Sequence, residues 1–478
     1  MENTTSLKVT NRNAIVIVFI IGAFVTILNQ TLLVTALPHI MRSFNITADK
    51  VQWLTTAFML VNGIFIPVTA FLIEKYSTRT LFMSFMGIFV IGTLVAALAP
   101  NFSVLLIARI LQAVGAGGIM PLMQTVFLVI FPKEKRGTAM GMMGLVIAFA
   151  PAIGPTLSGW IVDRFSWHYL FYIILPIAII DVIIAIFILK NVTEQRKIKL
   201  DILSVILSSL GFGGILYGFS TAGSNGWSDK WVIAAILVGL ISMLLFVLRQ
   251  LKQERPLLEL RVFKNRTFTI TTILGMISFA SMMGLETILP MYTQNLRNIT
   301  AFHSGLMLLP GAIVMGAMSP ITGVIFDKIG AKIIGIIGFL ILTVTTFFFA
   351  FLDLNTSLTF IIIVYAIRMA GISMVMMPLI TAGINALPSN LIAHATAVNN
   401  TFRQVAASIG TAVLITVMTN AAKNSTSKNP LNAMVTGMDA AFLGAAILAC
   451  VGLVLIFALK QENKNKEVKD AVEEIKVG

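Results

Sequence analysis

Charge is what this 478-residue chain most lacks: only 11% of its residues are Asp, Glu, Lys or Arg, against roughly 25% in a soluble protein. With 57% apolar residues and a mean hydropathy of +0.93, most of the chain must face something other than water. Cysteine is almost absent. The single thiol, Cys450, excludes an intramolecular disulfide and any multi-thiolate zinc or iron–sulfur site, and within its apolar run it reads as a small buried hydrophobe. The four histidines, His39, His168, His303 and His394, show no metal-ligand spacing. There is no glycine-rich Lys-Ser/Thr phosphate loop, which excludes a pump driven by nucleotide hydrolysis. Nor is there a clustered His/Asp/Cys set for an embedded enzyme, or a recognisable selectivity filter. No enzymatic activity, cofactor or metal is expected.

What is present is apolar length. About 20 apolar residues cross a bilayer as a helix, and fourteen segments qualify: 14–37, 51–73, 80–99, 103–128, 137–161, 168–189, 201–221, 230–248, 267–292, 303–326, 333–352, 357–380, 394–420 and 438–459. The first is too long for a signal-peptide core and lacks a small-residue cleavage site, so it stays as a helix. Backbone polar groups must pair internally in lipid, which makes these segments helical. With both termini placed in the cytoplasm, 24 of the 34 lysines and arginines fall on the inner side and seven on the outer side. Arg109, Arg368 and Arg403 remain inside spans. That asymmetry fits the positive-inside rule. It reads the net charge of +14 as a topology signal facing anionic lipid, not a nucleic-acid surface. The chain is expected to be a multi-pass membrane protein with both termini cytoplasmic, a monomer, in contact with the lipid bilayer. The Lys/Glu tail beyond 460 reads as a solvated helix or a disordered end.

Two stretches repeat. Glu74-Lys75-Tyr-Ser77-Thr-Arg79 follows the second span, and Asp327-Lys328-Ile-Gly330-Ala-Lys332 follows the tenth. Two spans later each half carries an arginine and then a proline, Arg109 to Pro121 and Arg368 to Pro378. Spans one to six thus read as a duplicate of spans nine to fourteen, with spans seven and eight inserted. Such repeats flank midplane sites in secondary transporters. The expected organisation is a cytoplasmic N-terminus at 1–13, a six-helix half at 14–189, a two-helix insert with linkers at 190–266, a second half at 267–459, and a cytoplasmic tail at 460–478.

Several motifs then carry a resemblance. They are Asn29-Gln30-Thr31 through Ala36-Leu37-Pro38 in the first span, the two acid–base loops, Arg109-Ile-Leu-Gln112-Ala-Val-Gly115-Ala-Gly117 in the fourth, Ala150-Pro151-Ala-Ile-Gly154-Pro155 in the fifth, and Asn399-Asn400-Thr-Phe-Arg403-Gln404 in the thirteenth. Over about residues 14–459 the chain resembles the fourteen-span drug:proton antiporter branch of the major facilitator superfamily, in a subgroup similar to Gram-positive lincomycin and multidrug exporters. The resemblance implies an all-α integral membrane fold of two pseudo-symmetric six-helix halves plus two inserted helices. It also implies proton-coupled export of amphipathic drugs or toxic compounds by alternating access. The alternatives are an exporter of fatty acids or lipids and a proton-coupled nutrient symporter; the fifth-span motif resembles that of antiporters. Where the branch often has a first-span acid this chain has Asn29, so either another acid carries the proton or the coupling differs.

Two acids stand clearly at membrane depth, where charge costs about 2.5–3.5 kcal/mol on insertion scales: Asp181 in the sixth span and Glu286 in the ninth. Glu286 and Arg109 fall at comparable depths; Glu286 is the first proton-coupling candidate and Asp181 the second, while the resemblance implies that Arg109 assists proton transfer, the residues alone giving it only as a buried charge needing a partner. For Glu286 the other readings are a fixed ion pair with Arg109 or an acid near enough the outer surface to stay solvated, and for Asp181 a structural hydrogen bond to a neighbouring span. Asn29, Gln30, Thr31 and Gln112 offer uncharged hydrogen bonds to substrate. Of the 25 methionines, Met282, Met283 and Met377 are candidates for an adaptable pocket, most of the rest being filler. Gly154 and Pro155 form an expected packing hinge. Glu74, Lys75, Arg79, Asp327 and Lys328 are expected to latch the cytoplasmic side. Arg368, Asn400, Arg403 and Gln404 are buried polar groups needing partners.

Overall fold

The computed structural model describes residues 12–460 other than 194, 197, 426 and 428. The expected N-terminal segment up to residue 11 and the tail beyond 460 lie outside the described residues. Among the described residues, fourteen helices are long and apolar enough to cross a membrane: α1 (Arg12–Phe44), α2 (Ala48–Lys75), α3 (Thr78–Ala97), α4 (Phe102–Ile130), α5 (Arg136–Val162), α6 (Tyr169–Ile188), α7 (Ile202–Asn225), α8 (Lys230–Lys252), α9 (Arg266–Met291), α10 (Ala301–Ile329), α11 (Ala331–Phe349), α12 (Leu358–Asn385), α13 (Ile392–Lys423) and α14 (Pro430–Leu455). No strand occurs among the described residues. The outer surface is an apolar girdle, with Phe187 80% and Val454 68% exposed, as a protein solvated by hydrocarbon requires.

The helices begin and end where local chemistry satisfies their free backbone groups. Ser77, Asn101, Asp229, Asn265, Thr300 and Asn429 each cap a helix N-terminus through the side chain. Asn429 followed by Pro430 starts α14 eight residues earlier than hydropathy alone indicates, because Asn432, Thr436 and Gly437 dilute the apolar signal while Pro at the first position and an Asn cap favour helix. At the far end of α9, Pro290 offers no N–H, and the chain widens into a π-helical turn over Tyr292–Leu296.

The packing has two-fold character. The pairs α1·α5, α2·α4, α3·α4, α3·α6 and α1·α6 recur eight helices later as α9·α13, α10·α12, α11·α12, α11·α14 and α9·α14. The halves meet along two seams, α5 against α10 and α2 against α13. At the first seam Gly137, Gly141 and Gly144 of α5 face Gly323, Ser319 and Pro320 of α10. A Cβ added to Gly141 would lie 2.5 Å from the Ser319 carbonyl oxygen. This is the small-residue packing that lets membrane helices approach closely. At the second seam α7 packs against both α2 and α13 while α8 packs on α7. Trp53 of α2 stacks on Tyr217 of α7, and Trp227 Nε1 donates to Thr416 of α13.

Candidate functional site

Between the halves lies a cavity of about 710 Å³, of the size that holds drug-like ligands. Successive helices alternate in direction, so residue numbers give depth. The lining comes from the C-terminal halves of α1 (Gln30, Thr31, Val34), α5 (Pro151, Pro155) and α9 (Phe279 to Pro290). From the returning helices it comes from the N-terminal part of α10 (Ser304, Leu308) and of α12 (Tyr365, Met369). The cavity is therefore displaced toward the face opposite the chain termini. On the termini face the seams are shut.

That closure uses the same device twice. Asp327, near the end of α10, reaches the start of α5. It accepts from Gly137 N and Thr138 N, each at 2.8 Å, and from Thr138 Oγ1 at 2.6 Å. Lys135, the residue that precedes α5, makes no side-chain cap, so the carboxylate from the other half satisfies donors of the first turn and faces the positive end of the helix dipole. Glu74, near the end of α2, meets the start of α13 in the corresponding way. Its carboxylate lies 3.3 Å from His394 Nε2 and 3.7 Å from Arg196. The Glu259 N–H donates to His394 Nδ1, which leaves Nε2 to carry the proton toward Glu74. The basic members of the sequence motif do not take part in these bonds. Lys75 lies over the rings of Phe71 and Tyr76, and Arg79 and Lys328 are exposed. Nearby, Arg136 Nη1 of α5 donates to Asn385 Oδ1 of α12.

The acids separate. Glu286 is half-buried in the cavity wall, within electrostatic reach of Arg368 and Tyr365. Among the described residues it forms no ion pair with Arg109. Arg109 is fully buried in the other half, donating to Gln112 Oε1 (2.8 Å) and to the Leu54 carbonyl (3.3 Å), with its guanidinium 4.2 Å from the Phe58 ring centroid. Equal depth along two helices does not make two side chains neighbours; the arginine within electrostatic reach of Glu286 is Arg368, in its own half. Asp181 lies outside the cavity. It is fully buried beside Gly22 of α1 and Phe82 of α3, with both carboxyl oxygens unpartnered among the described residues.

The uncharged candidates divide as well. Gln30 and Thr31 line the cavity, and Thr31 Oγ1 also reaches the Ala150 carbonyl opposite Gly154. Asn29 and Gln112 do not line it. They bond to each other and, through Gln112 Nε2, to Thr93, completing a buried cluster around Arg109. Met282 and Met283 line the cavity, whereas Met377 is buried on α12 near Gly144 of α5. Asn400, Arg403 and Gln404 of α13 all line it, and Asn400 donates to Gln124 of α4 across the halves at 2.6 Å. Arg368 donates to Thr346 Oγ1 and to the Ser281 carbonyl and hydroxyl. The sequence reading missed Asn62, Gln294, Tyr365 and the methionines Met59, Met120, Met315 and Met369. A signal existed for Asn62, an amide inside an apolar span; none existed for the methionines, since methionine suits lipid-facing and cavity-facing positions equally. Cys450, expected to be buried, is exposed on α14.

Comparison with known proteins follows the same lines. A family model described as Major Facilitator Superfamily matches residues 19–411. An uncharacterized MFS-type transporter of Bacillus subtilis, YcnB, is 58% identical over 98% of this chain and 100% of its own length. The lincomycin resistance protein LmrB of the same organism is 44% identical over 94% of this chain and 95% of its own. Among solved structures, the human organic anion transporter MFSD10 superposes with a TM-score of 0.67 at 14% identity, covering 93% of this chain and 99% of that one; this likeness is one of fold.

Proposed function

The chain belongs to the Major Facilitator Superfamily, and from that membership we propose that it exports amphipathic, cation-bearing compounds in exchange for protons, by alternating access. The termini face is taken as cytoplasmic, from the lysine and arginine asymmetry, so the geometry described corresponds to a cavity open outward. The resistance protein LmrB among its relatives supports efflux of drug-like compounds. The observation that carries the reading is Glu286, the one carboxylate among the residues lining a largely apolar cavity. A proton and a cationic substrate compete for that carboxylate. Arg368, held on Thr346 and Ser281, lies within electrostatic reach of it. Asp181, off the cavity, is not placed to compete with substrate.

The energetics suffice for one proton with a neutral cargo. Inward movement down 100 mV supplies about 2.3 kcal/mol, and one pH unit adds about 1.4 kcal/mol. Hundredfold export of a neutral compound costs about 2.7 kcal/mol. Exchange of one proton for a monocation is electroneutral, so the pH gradient alone drives it, to about tenfold per unit. The test is transport of a cationic dye and of lincomycin in proteoliposomes under an imposed pH gradient, with Glu286→Gln and Asp181→Asn beside the parent. Glu286→Gln is expected to lose gradient-driven accumulation by at least tenfold while still allowing downhill exchange. Accumulation by Glu286→Gln at the parent's level would overturn the reading.

A further inference from the structure

Three arginines are buried at membrane depth, and they are not provided for alike. Arg109 donates to Leu54 O and Gln112 Oε1. Arg368 donates to Thr346 and Ser281. Arg403 donates to nothing among the described residues, although it is only 7% exposed and its Nε is fully shielded from water. Its one built-in companion is an aromatic face, the Phe279 ring, with the guanidinium carbon 4.3 Å from the centroid. A guanidinium carries five donors in a planar fork suited to a carboxylate or other oxyanion. Leaving it desolvated without an acceptor is costly. Of the three, Arg403 alone lines the cavity, flanked on α13 by Asn400 and Gln404. The missing acceptors can reach it from the cavity.

The position relative to Glu286 gives the shape of what would supply them. Phe279 and Glu286 are seven residues apart on α9, and both line the cavity. Two helical turns separate them by roughly 10 Å along the axis, with Phe279 nearer the middle of the chain's thickness and Glu286 nearer the open face. Arg403, seated on Phe279, lies at the deep end. We propose that the cavity is a two-ended site whose preferred ligands are zwitterionic amphipaths, with a cationic group held at Glu286 and an anionic oxygen group held at Arg403. The inference rests on the export reading and specifies its substrate class. Methionines and the Phe279 ring accommodate the apolar body between the two ends, and the two fixed charges set its direction, acid end inward.

A matched pair of ligands tests this on the intact protein: a zwitterionic rhodamine bearing a free carboxylate, and its methyl ester, a plain monocation. Binding to purified protein in nanodiscs is measured by fluorescence anisotropy, and export is measured separately in proteoliposomes. The free acid is expected to bind at least tenfold more tightly than the ester. In Arg403→Gln the acid-to-ester affinity ratio falls to within twofold of one, and in Arg403→Lys part of the preference returns. Equal affinity of acid and ester for the parent protein overturns the two-ended site without any variant being needed, and means that water alone satisfies Arg403. A ratio unchanged in Arg403→Gln also overturns it. Export of the ester under a pH gradient keeps the efflux reading intact in either of those cases; failure to bind or export both compounds overturns both.

Discussion

The two closures on the termini face repeat one device at two levels of quality. Asp327 places a carboxylate on the first turn of α5 and collects three hydrogen bonds of 2.6–2.8 Å, two of them from backbone N–H groups. Glu74 stands at the corresponding place on α2, yet it reaches the first turn of α13 only through the His394 ring at 3.3 Å and shares itself with Arg196 at 3.7 Å. The seams differ in the same sense. Around Asp327 the helices touch through Gly137, Gly141 and Gly323, close enough for a short Asp to reach backbone. Around Glu74 there is no such glycine stripe, α7 is packed against both partners, and a longer acid with a side-chain intermediary spans the wider gap. Close backbone approach turns a carboxylate into a helix cap; without it the same motif yields a contact through the buried His394 ring and a 3.7 Å pairing with the exposed Arg196, the latter worth little.

The largest effect is expected where the closer seam is forced apart. Gly141→Leu puts a side chain against the Ser319 carbonyl and Pro320. Gradient-driven export should fall at least a hundredfold while membrane insertion, set by hydropathy, persists; proteoliposome flux and membrane fractionation measure the two. Next comes Asp327→Asn, which removes the charge from the α5 N-terminus and costs about 1–2 kcal/mol of closure. A cysteine introduced at the buried Ser319, in a Cys450→Ala background, should then react with maleimide from the termini side about five- to thirtyfold faster. Glu74→Gln, read by the same labelling, should change the rate only about twofold. Equal acceleration by the two substitutions would break the comparison, since backbone capping would then carry no advantage over the ion pair.

The smallest effect concerns the inserted hairpin. Asp201, just before α7, accepts from Arg249 at 2.8 and 3.0 Å, from Ser204 at 2.6 Å, and from Gln253. The Arg249 hydrogen bonds hold its carboxyl below the usual range, against the opposing pull of partial burial. A lowered value in the folded state means that the contribution is full above the ordinary carboxylate range and is lost as pH falls through the folded value. Asp201→Asn should therefore lower thermal stability by no more than a degree or two at neutral pH, and the difference from the parent should close in strong acid. A difference independent of pH would show that packing of the hairpin, not the charge, is what the substitution disturbs.

Much of the chemistry within these comparisons was legible in the motifs, but its partners were not. The repeat pointed to Glu74 and Asp327 together, and it pointed to Lys75, Arg79 and Lys328 with equal force, although the seam bonds described above are made by the acids. The reading of Glu286 as a cavity acid rested on depth along its helix; Glu286 lines the cavity, while equal depth does not bring Arg109 beside it. The first span shows the difficulty at its sharpest. Asn29, Gln30 and Thr31 are adjacent in sequence, and a helix sends them to different faces, so Gln30 and Thr31 reach the cavity while Asn29 turns inward to Gln112. In a soluble helix, polarity would mark which face is which. Here the lipid face and the packed face are both apolar, and that is also why Cys450 was assigned to the interior when it lies outside.

The sequence by itself determined the number of crossings, their alternation, the helical class and the pseudo-repeat, because hydrocarbon tolerates no unpaired backbone and leaves length and hydropathy as sufficient signals. Only the tertiary structure decided which faces meet. It set Asp327 on the α5 N-terminus, Arg368 within electrostatic reach of Glu286, Asn29 away from the cavity, and Arg403 in the wall with no acceptor among the described residues. Those choices depend on how closely two backbones can approach, a property of glycines on one helix meeting small residues nearly two hundred positions away, and no local pattern encodes it.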